Sequence, residues 1–466
     1  MLTVLACFVV FLAFAGLMAT GRLSALLALP AMALAVALVC RVPLSDVMHQ
    51  VIQEGVGRLS GAMITTMIGA ILAQVMTKFG IGHKLVRWAA EFSGDNPFVL
   101  AMGLLLVTAV LFSSMGGLGA VIMVGSVVLP VLLSVGLPGP AAAGVLLFGI
   151  SLGGMFNLAN WKLFMEVLQV PQAEIQAFVG PFSLLFAVVA ALFVFVQGSP
   201  EDRRRGFGAL ATVVGLVAVG ALWWWRGPAL PWPTDAVAAA LPWVQGAGAA
   251  LLVLTWWRRR LHPDDDVPLV ALLTPVLPLF CVLVLKMDIV PAFLVGILHG
   301  VMATWKPGRV NAATQAIFEG IQAVVPVLVL MMGIGMVLNA MMHPVVSAQF
   351  GPVLAKATPS HALTYVAGFG LAAPLSLYRG PLNLFGLGSG LAALILATGQ
   401  LPGAAVMGML QSVGQVQGVC DPTNTANVWI ANQVGSSPAR LMRQTLPWAW
   451  LAALLGLVLS AARYLA

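Results

Sequence analysis

Apolar blocks follow one another along nearly the whole of this 466-residue chain, over approximately 2–20, 23–40, 59–77, 97–135, 139–160, 177–197, 207–225 and 237–257, then 267–285, 289–304, 321–342, 361–399, 402–419 and 445–465. Crossing the hydrocarbon of a bilayer takes roughly 20 apolar residues in a helix. Inside lipid a backbone must satisfy its own hydrogen bonds, so blocks of this size are helices. With 61% hydrophobic and 8% charged residues and a mean hydropathy of +1.01, no stretch is left for a soluble domain. The expected fold class is an all-α polytopic membrane protein. Residues 1–20 lack the basic start and small-residue cleavage site of a secretory signal and read as a first transmembrane helix.

Two blocks are too long for one span, and each is interrupted in its middle. The first is broken by Ser113-Ser114-Met115-Gly116-Gly117, the second by Ser376-Leu377-Tyr378-Arg379-Gly380-Pro381. Both predict helical hairpins, which return the chain to the side it came from whether they re-enter or cross fully. With Glu201-Asp202-Arg203-Arg204-Arg205 in the cytoplasm, fourteen basic residues fall inside and seven outside, with every basic cluster on one side. That is the asymmetry of the positive-inside rule. It makes the net charge of +7 a matter of orientation and not of nucleic-acid binding. The architecture expected is about twelve transmembrane helices plus two helical hairpins.

The chain repeats itself. Gln50, Ile52, Glu54, Gly55, Met67 and Met76 recur 265 residues later as Gln315, Ile317, Glu319, Gly320, Met332 and Met341. The offset becomes 263 through the hairpins, pairing Gly117 with Gly380 and Gly125 with Gly388. It becomes 264 beyond them, pairing Gly144 with Gly408, Gly154 with Gly418 and Asn160 with Asn424. The chain therefore divides into a first repeat (1–197), a connecting segment with two crossings (198–265) and a second repeat (266–466). An odd number of crossings per half makes this an inverted-topology repeat.

Charged and amide groups inside a bilayer are costly and mark function. Only Arg379 and Asp421 lie well within apolar blocks. Arg379 sits at the second hairpin tip with Asn383 close behind. Asp421 opens Asp421-Pro422-Thr423-Asn424-Thr425-Ala426-Asn427, whose repeat partner is Asn157-Leu158-Ala159-Asn160. Proline and small polar residues in mid-span predict two unwound helices, whose free backbone groups can bind ions. Two tips and two breaks, expected to converge on one midplane site, are the candidate site. Arg379 is a fork suited to a carboxylate, or a side chain snorkelling from a shallow tip. Asp421 is a cation ligand or proton carrier, or a partner for Arg379 or a half-helix cap. Glu54 and Glu319 sit in amphipathic segments as interfacial charges. Cys7, Cys40, Cys281 and Cys420 form no paired motif, so neither a disulfide framework nor a zinc site is expected, and no histidine has metal-binding spacing.

The inverted halves, one hairpin in each, and the polar breaks at 157–160 and 421–427 resemble the ion transporter superfamily, within it most closely the gluconate permease and citrate transporter families. The resemblance implies that tips and broken helices share a substrate and coupling-ion site and that a transport domain moves against a scaffold, often in a dimer. On that basis Ser113, Ser114, Asn157, Asn160, Arg379, Asn383, Thr423 and Asn424 are expected to bind substrate, and Asp421, Thr425 and Asn427 the coupling ion. The first half departs from the usual polar tip, which leaves the Asp421 region the stronger ion candidate. The expected function is secondary active transport of a small organic anion, a carboxylate or sugar acid, with H+ or Na+, across a bacterial cytoplasmic membrane. A cation/proton antiporter of the same architecture is the alternative. No cofactor, enzymatic activity or nucleic-acid partner is expected; membrane lipid and a second copy of the chain are the expected neighbours.

Overall fold

The computed structural model describes residues 2–20, 22–92, 96–225, 267–306, 309–359 and 361–465, with single positions between 242 and 261. All regular secondary structure among them is helical. Of the connecting segment, Pro200–Trp225 is a helix. Its expected second crossing, including Arg258 and Arg259, lies outside the described residues except at single positions.

The helices that carry the site are named in chain order. Leu44–Lys78 (α1) is a single run of 35 residues. Pro97–Phe112 (α2) and Gly117–Ser134 (α3) form the first hairpin, Gly139–Met155 (α4) and Leu158–Leu168 (α5) the first broken helix, and Gln172–Gln197 (α6) follows. Arg309–Met342 (α7) is the long helix of the second half. Ala362–Ala372 (α8) and Gly388–Ala397 (α9) are the arms of the second hairpin, Gly403–Cys420 (α10) and Thr425–Gln433 (α11) the second broken helix, and Pro438–Tyr464 (α12) the last helix.

Both hairpins and both breaks thus fall where the sequence interrupts its apolar blocks. Among the described residues, α1, α3, α6, α7 and α12 are long and apolar enough to cross a membrane, and the bent pair α4–α5 makes a sixth if it is one span. Other apolar helices, such as Ala25–Val39 and Ile289–Ala303, have 15 residues each and fall short of a full span. The amphipathic segments before the spans are continuous with them. At 1.5 Å per residue α1 and α7 are about 50 Å long, well beyond the hydrocarbon thickness. A π-helical stretch, Val47–Glu54, lies in α1.

Two compact units make up the chain. One comprises Met1–Met63, Asn160–Val189 and Val325–Ala466; the other Ile64–Ala159 and Ala190–Val324. Each draws on both sequence halves. In the first unit, a Cβ on Gly55 of α1 would stand 2.8 Å from the Cα of Met336 on α7. In the second, a Cβ on Gly320 of α7 would stand 2.9 Å from the Cα of Ile71 on α1. Gly320 and Met336 are the copies, at the offset of 265, of Gly55 and Ile71. The two contacts are therefore one contact repeated with the partners exchanged. Only glycine lets backbones approach so closely.

Each unit also fixes one hairpin stem. In the first, Tyr365 of α8 donates its hydroxyl to Ala405 O at 2.7 Å and lies 2.9 Å from Ser460 Oγ, tying α8 to α10 and α12. Gly408 and Gly456 let α10 and α12 close on Ser460 and Ser412. In the second, Gly149 and Gly153 of α4 pack onto Leu105, Thr108 and Ala109 of α2. The cysteines depart from the sequence expectation in one respect. Leu2–Ala19 and Ala25–Val39 fold against each other and bring the buried, free Sγ atoms of Cys7 and Cys40 to 3.0 Å. Glu319, half-exposed, pairs with Lys78 at 2.7 Å, in keeping with an interfacial charge, and Glu54 is exposed.

The glycine contacts make a clear prediction. Gly55→Ala and Gly320→Ala each press a methyl on backbone that cannot yield and should destabilise the protein by about 1–3 kcal/mol. Gly57→Ala, where a Cβ meets nothing within 4 Å, should leave the melting temperature of the detergent-purified protein unchanged or raised.

Candidate functional site

The site residues group by half, one tip with one break. In the first half α4 ends at Met155 and α5 starts at Leu158, bent by 54°. At the bend Asn157 Nδ2 donates to Phe112 O at 3.1 Å and to Met115 O at 3.0 Å, the carbonyls left unpaired where α2 ends. Its Oδ1 accepts from Ala159 N at 3.1 Å and caps α5. A single amide thus joins break to tip. Ser113 and Ser114 donate back to Val110 O (2.7 Å) and Leu111 O (3.3 Å), so both hydroxyl protons finish their own helix. Gly117 takes φ +83°, and a Cβ on Gly116, Gly117 or Gly154 would meet nothing within 4 Å. This tip is small, neutral and open.

The second half is built on the same plan with different chemistry. Pro422 cannot continue the helix, and α10 stops at Cys420. Asp421, 1% exposed, accepts from Thr423 N at 2.9 Å and from the Thr423 hydroxyl at 2.6 Å through Oδ1. Through Oδ2 it accepts from Tyr378 N at 3.1 Å, at the hairpin tip. Asn424 caps α11 at Ala426 N (3.1 Å). The tip leaves α8 as a 3₁₀ stretch, Ala373–Arg379, that kinks at Leu377 and Tyr378. Tyr378 has φ +55°, a left-handed conformation costing a non-glycine residue about 1–2 kcal/mol. The bond from Asp421 holds that strained peptide. Asn383 closes the tip: its Oδ1 accepts from Phe385 N (2.9 Å) and its carbonyl from Gly386 N and Gly388 N (3.0 Å each).

Asn157 and Asp421 are equivalent at the repeat offset of 264, Met115 and Tyr378 at 263, Ala159 and Thr423 at 264. In each break one side chain therefore accepts from the backbone N–H two residues on and clamps its own hairpin tip; in the first that bond caps α5, in the second it closes the turn before α11. The polarity is reversed: the amide donates to carbonyls, the carboxylate accepts from an N–H. The breaks are also shorter than the sequence implies. Asn160, Thr425 and Asn427 belong to α5 and α11, because the caps at Asn157 and Asn424 restart those helices at once. Asn427 Nδ2 reaches back to Gly418 O at 3.4 Å. The backbone of Arg379 ends the 3₁₀ stretch, and its side chain lies outside the described residues. The described residues contain no group of three or more His, Cys, Asp or Glu able to hold a metal ion.

No family model matches the chain, and no curated protein matches it in sequence. Among solved structures, MtrF of Neisseria gonorrhoeae, described as illuminating a class of antimetabolite efflux pumps, is similar with 15% identity and a TM-score of 0.50, over 90% of this chain and 84% of that one. The YdaH transporter of Alcanivorax borkumensis is similar with 15% identity and a TM-score of 0.46, over 88% of this chain and 86% of that one. At such identity the likeness to MtrF speaks to the fold alone. The fold is an all-helical, multi-pass one of a kind found in membrane transporters.

The reversed clamps predict opposite sensitivities. Asn157→Asp sets a carboxylate against two carbonyls, and Asp421→Asn sets an amide where a charged acceptor held an N–H. Each should lower stability by about 1–3 kcal/mol, seen as a lower melting temperature. Asn157→Ala, which removes clamp and cap but sets no charge against the carbonyls, should cost less than Asn157→Asp.

Proposed function

We propose that this protein is a secondary active transporter of a bacterial cytoplasmic membrane, moving a small organic anion, a carboxylate or sugar acid, with H+ or Na+. The observation that carries the reading is the second tip and break, where a buried carboxylate, amides and strained backbone gather in the interior of apolar helices. Intramembrane ionisable groups are kept where they bind or move charge. Arg379 is the ligand for the substrate carboxylate, with Asn383, Thr423 and Asn424 reading its remainder; Ser113, Ser114, Asn157 and Asn160 are the substrate-binding residues of the first half. Asp421, with Thr425 and Asn427, carries the coupling cation. The cage around Asp421 supports this role: a carboxylate offers about four lone-pair sites, and donors among the described residues take three of them. The first half, with a neutral glycine-rich tip, supplies no matching charged site.

Purified protein in liposomes should take up the substrate acid only while a proton or sodium gradient stands; uptake indifferent to both gradients rejects the coupling. Arg379→Ala should weaken substrate binding roughly 10- to 100-fold, the worth of a charge-assisted pair. Gradient-driven proton movement without any organic solute, together with unchanged affinity in Arg379→Ala, would select cation/proton exchange instead.

A further inference from the structure

The second hairpin and its neighbouring helix hold polar atoms that the protein itself does not use. Asn383 Nδ2 and Gln411 Nε2 are buried without a hydrogen-bond partner, their residues 3% and 5% exposed. Buried donors are almost always paired, because leaving one unpaired costs its desolvation. The Asn383 amide is oriented unambiguously, since its oxygen accepts from Phe385 N and only its nitrogen is left over.

The two donors lie at one level of the fold. Arms α9 and α10 pack as consecutive helices, and a Cβ on Gly403 would lie 3.7 Å from the Leu396 side chain. Gly388 lies eight residues before that contact and Gln411 eight after it, about 12 Å along each helix. Gly388 lies directly against Asn383: a Cβ on it would fall 2.7 Å from Asn383 N. Asn383 and Gln411 therefore share a depth, to within about one 5 Å helical turn. One turn further along the face of Gln411, a Cβ on Gly414 would meet nothing within 4 Å, so this face borders open space.

The fold does not need these amides. At the repeat offsets the first half carries Ala120 in place of Asn383 and Leu147 in place of Gln411, both buried, in a hairpin and helix of the same plan. Ser376 adds a third difference: its hydroxyl is buried and unpartnered, whereas its counterpart Ser113 donates to Val110 O.

We infer that Gln411 joins Asn383 as a second donor to acceptor oxygens of the transported anion and sets its specificity, so that an acid with a further hydroxyl or carboxylate oxygen binds tighter than its hydrocarbon counterpart. The inference rests on the proposed transport of an organic anion. It adds Gln411 as a specificity-determining residue, because two N–H donors at one depth reward hydroxyl, carbonyl or carboxylate oxygen and offer nothing to a methylene chain.

The test is equilibrium binding to the full-length purified protein of two matched pairs, gluconate against hexanoate and succinate against butyrate. Wild type should bind at least one oxygenated acid ten-fold or more tighter than its plain counterpart. Gln411→Leu should erase that preference by weakening the oxygenated acid about ten-fold while leaving the plain acid unchanged. Its melting temperature without ligand should be equal or higher, since an unpaired buried amide is removed. Asn383→Asp keeps the acceptor for Phe385 N, replaces the free donor by negative charge, and should abolish binding of the oxygenated acid. Equal preference in wild type and Gln411→Leu, or no preference in wild type, overturns the inference while leaving anion transport standing. If neither member of either pair binds wild type, the transport reading falls and this one with it.

Discussion

A helix that stops inside an apolar layer leaves carbonyls and amide protons that lipid cannot satisfy, and every distinctive feature of this molecule answers that demand. Asn157 and Asp421 each tie a break to its hairpin tip, Asn157 also capping α5, while Asn424 caps α11. Without them, the polar interruptions at 113–116 and 376–381 would be unpaired backbone in an apolar surround, at a cost of several kcal/mol per group. The tight glycine packing of α4 on α2 and the Tyr365 and serine contacts among α8, α10 and α12 bring each break within reach of its tip.

One plan carried out twice allows structural and functional polarity to be told apart. Where both halves carry a polar group in the same place and it is paired, the fold accounts for that pairing: the bonds from positions 157 and 421 to their hairpin tips are of this kind. Where one half carries buried apolar side chains and the other unpaired amides, as at Ala120 and Asn383 or Leu147 and Gln411, the fold does not. The second half holds the buried carboxylate, the left-handed Tyr378 and the unpaired donors; the first offers glycines and satisfied serines. Within the hairpins and breaks, buried charge, backbone strain and unpaired donors are thereby concentrated in the second half.

Much of the frame was legible beforehand because membrane constraints act on composition directly. The interrupted blocks at 97–135 and 361–399 became hairpins, since Ser-Ser-Met-Gly-Gly and Ser-Leu-Tyr-Arg-Gly-Pro break helices by local chemistry. The repeat offset of 265, read from matching residues alone, reappears in the paired contacts of Gly55 and Gly320. Other features escaped because they depend on meetings of distant residues. Cys7 and Cys40 stand 33 positions apart and meet only because two helices fold back. The left-handed Tyr378 has no local signal, as it is held by a carboxylate 43 residues away. Gln411 reads as an ordinary polar residue in a helix until the partners around it are counted.

The sequence by itself determined that the chain is helical and apolar throughout, that its two halves repeat one another at a near-constant offset, and where helices must break. Those properties follow from hydropathy, proline and glycine chemistry and self-similarity, which act over a few neighbours or a fixed offset. Only the tertiary structure decided what each break bonds to, which way each clamp is polarised, and which buried donors are left over. Hydrogen-bond satisfaction is a property of atoms brought together from remote positions, and nothing in the order of residues records which of them will find a partner.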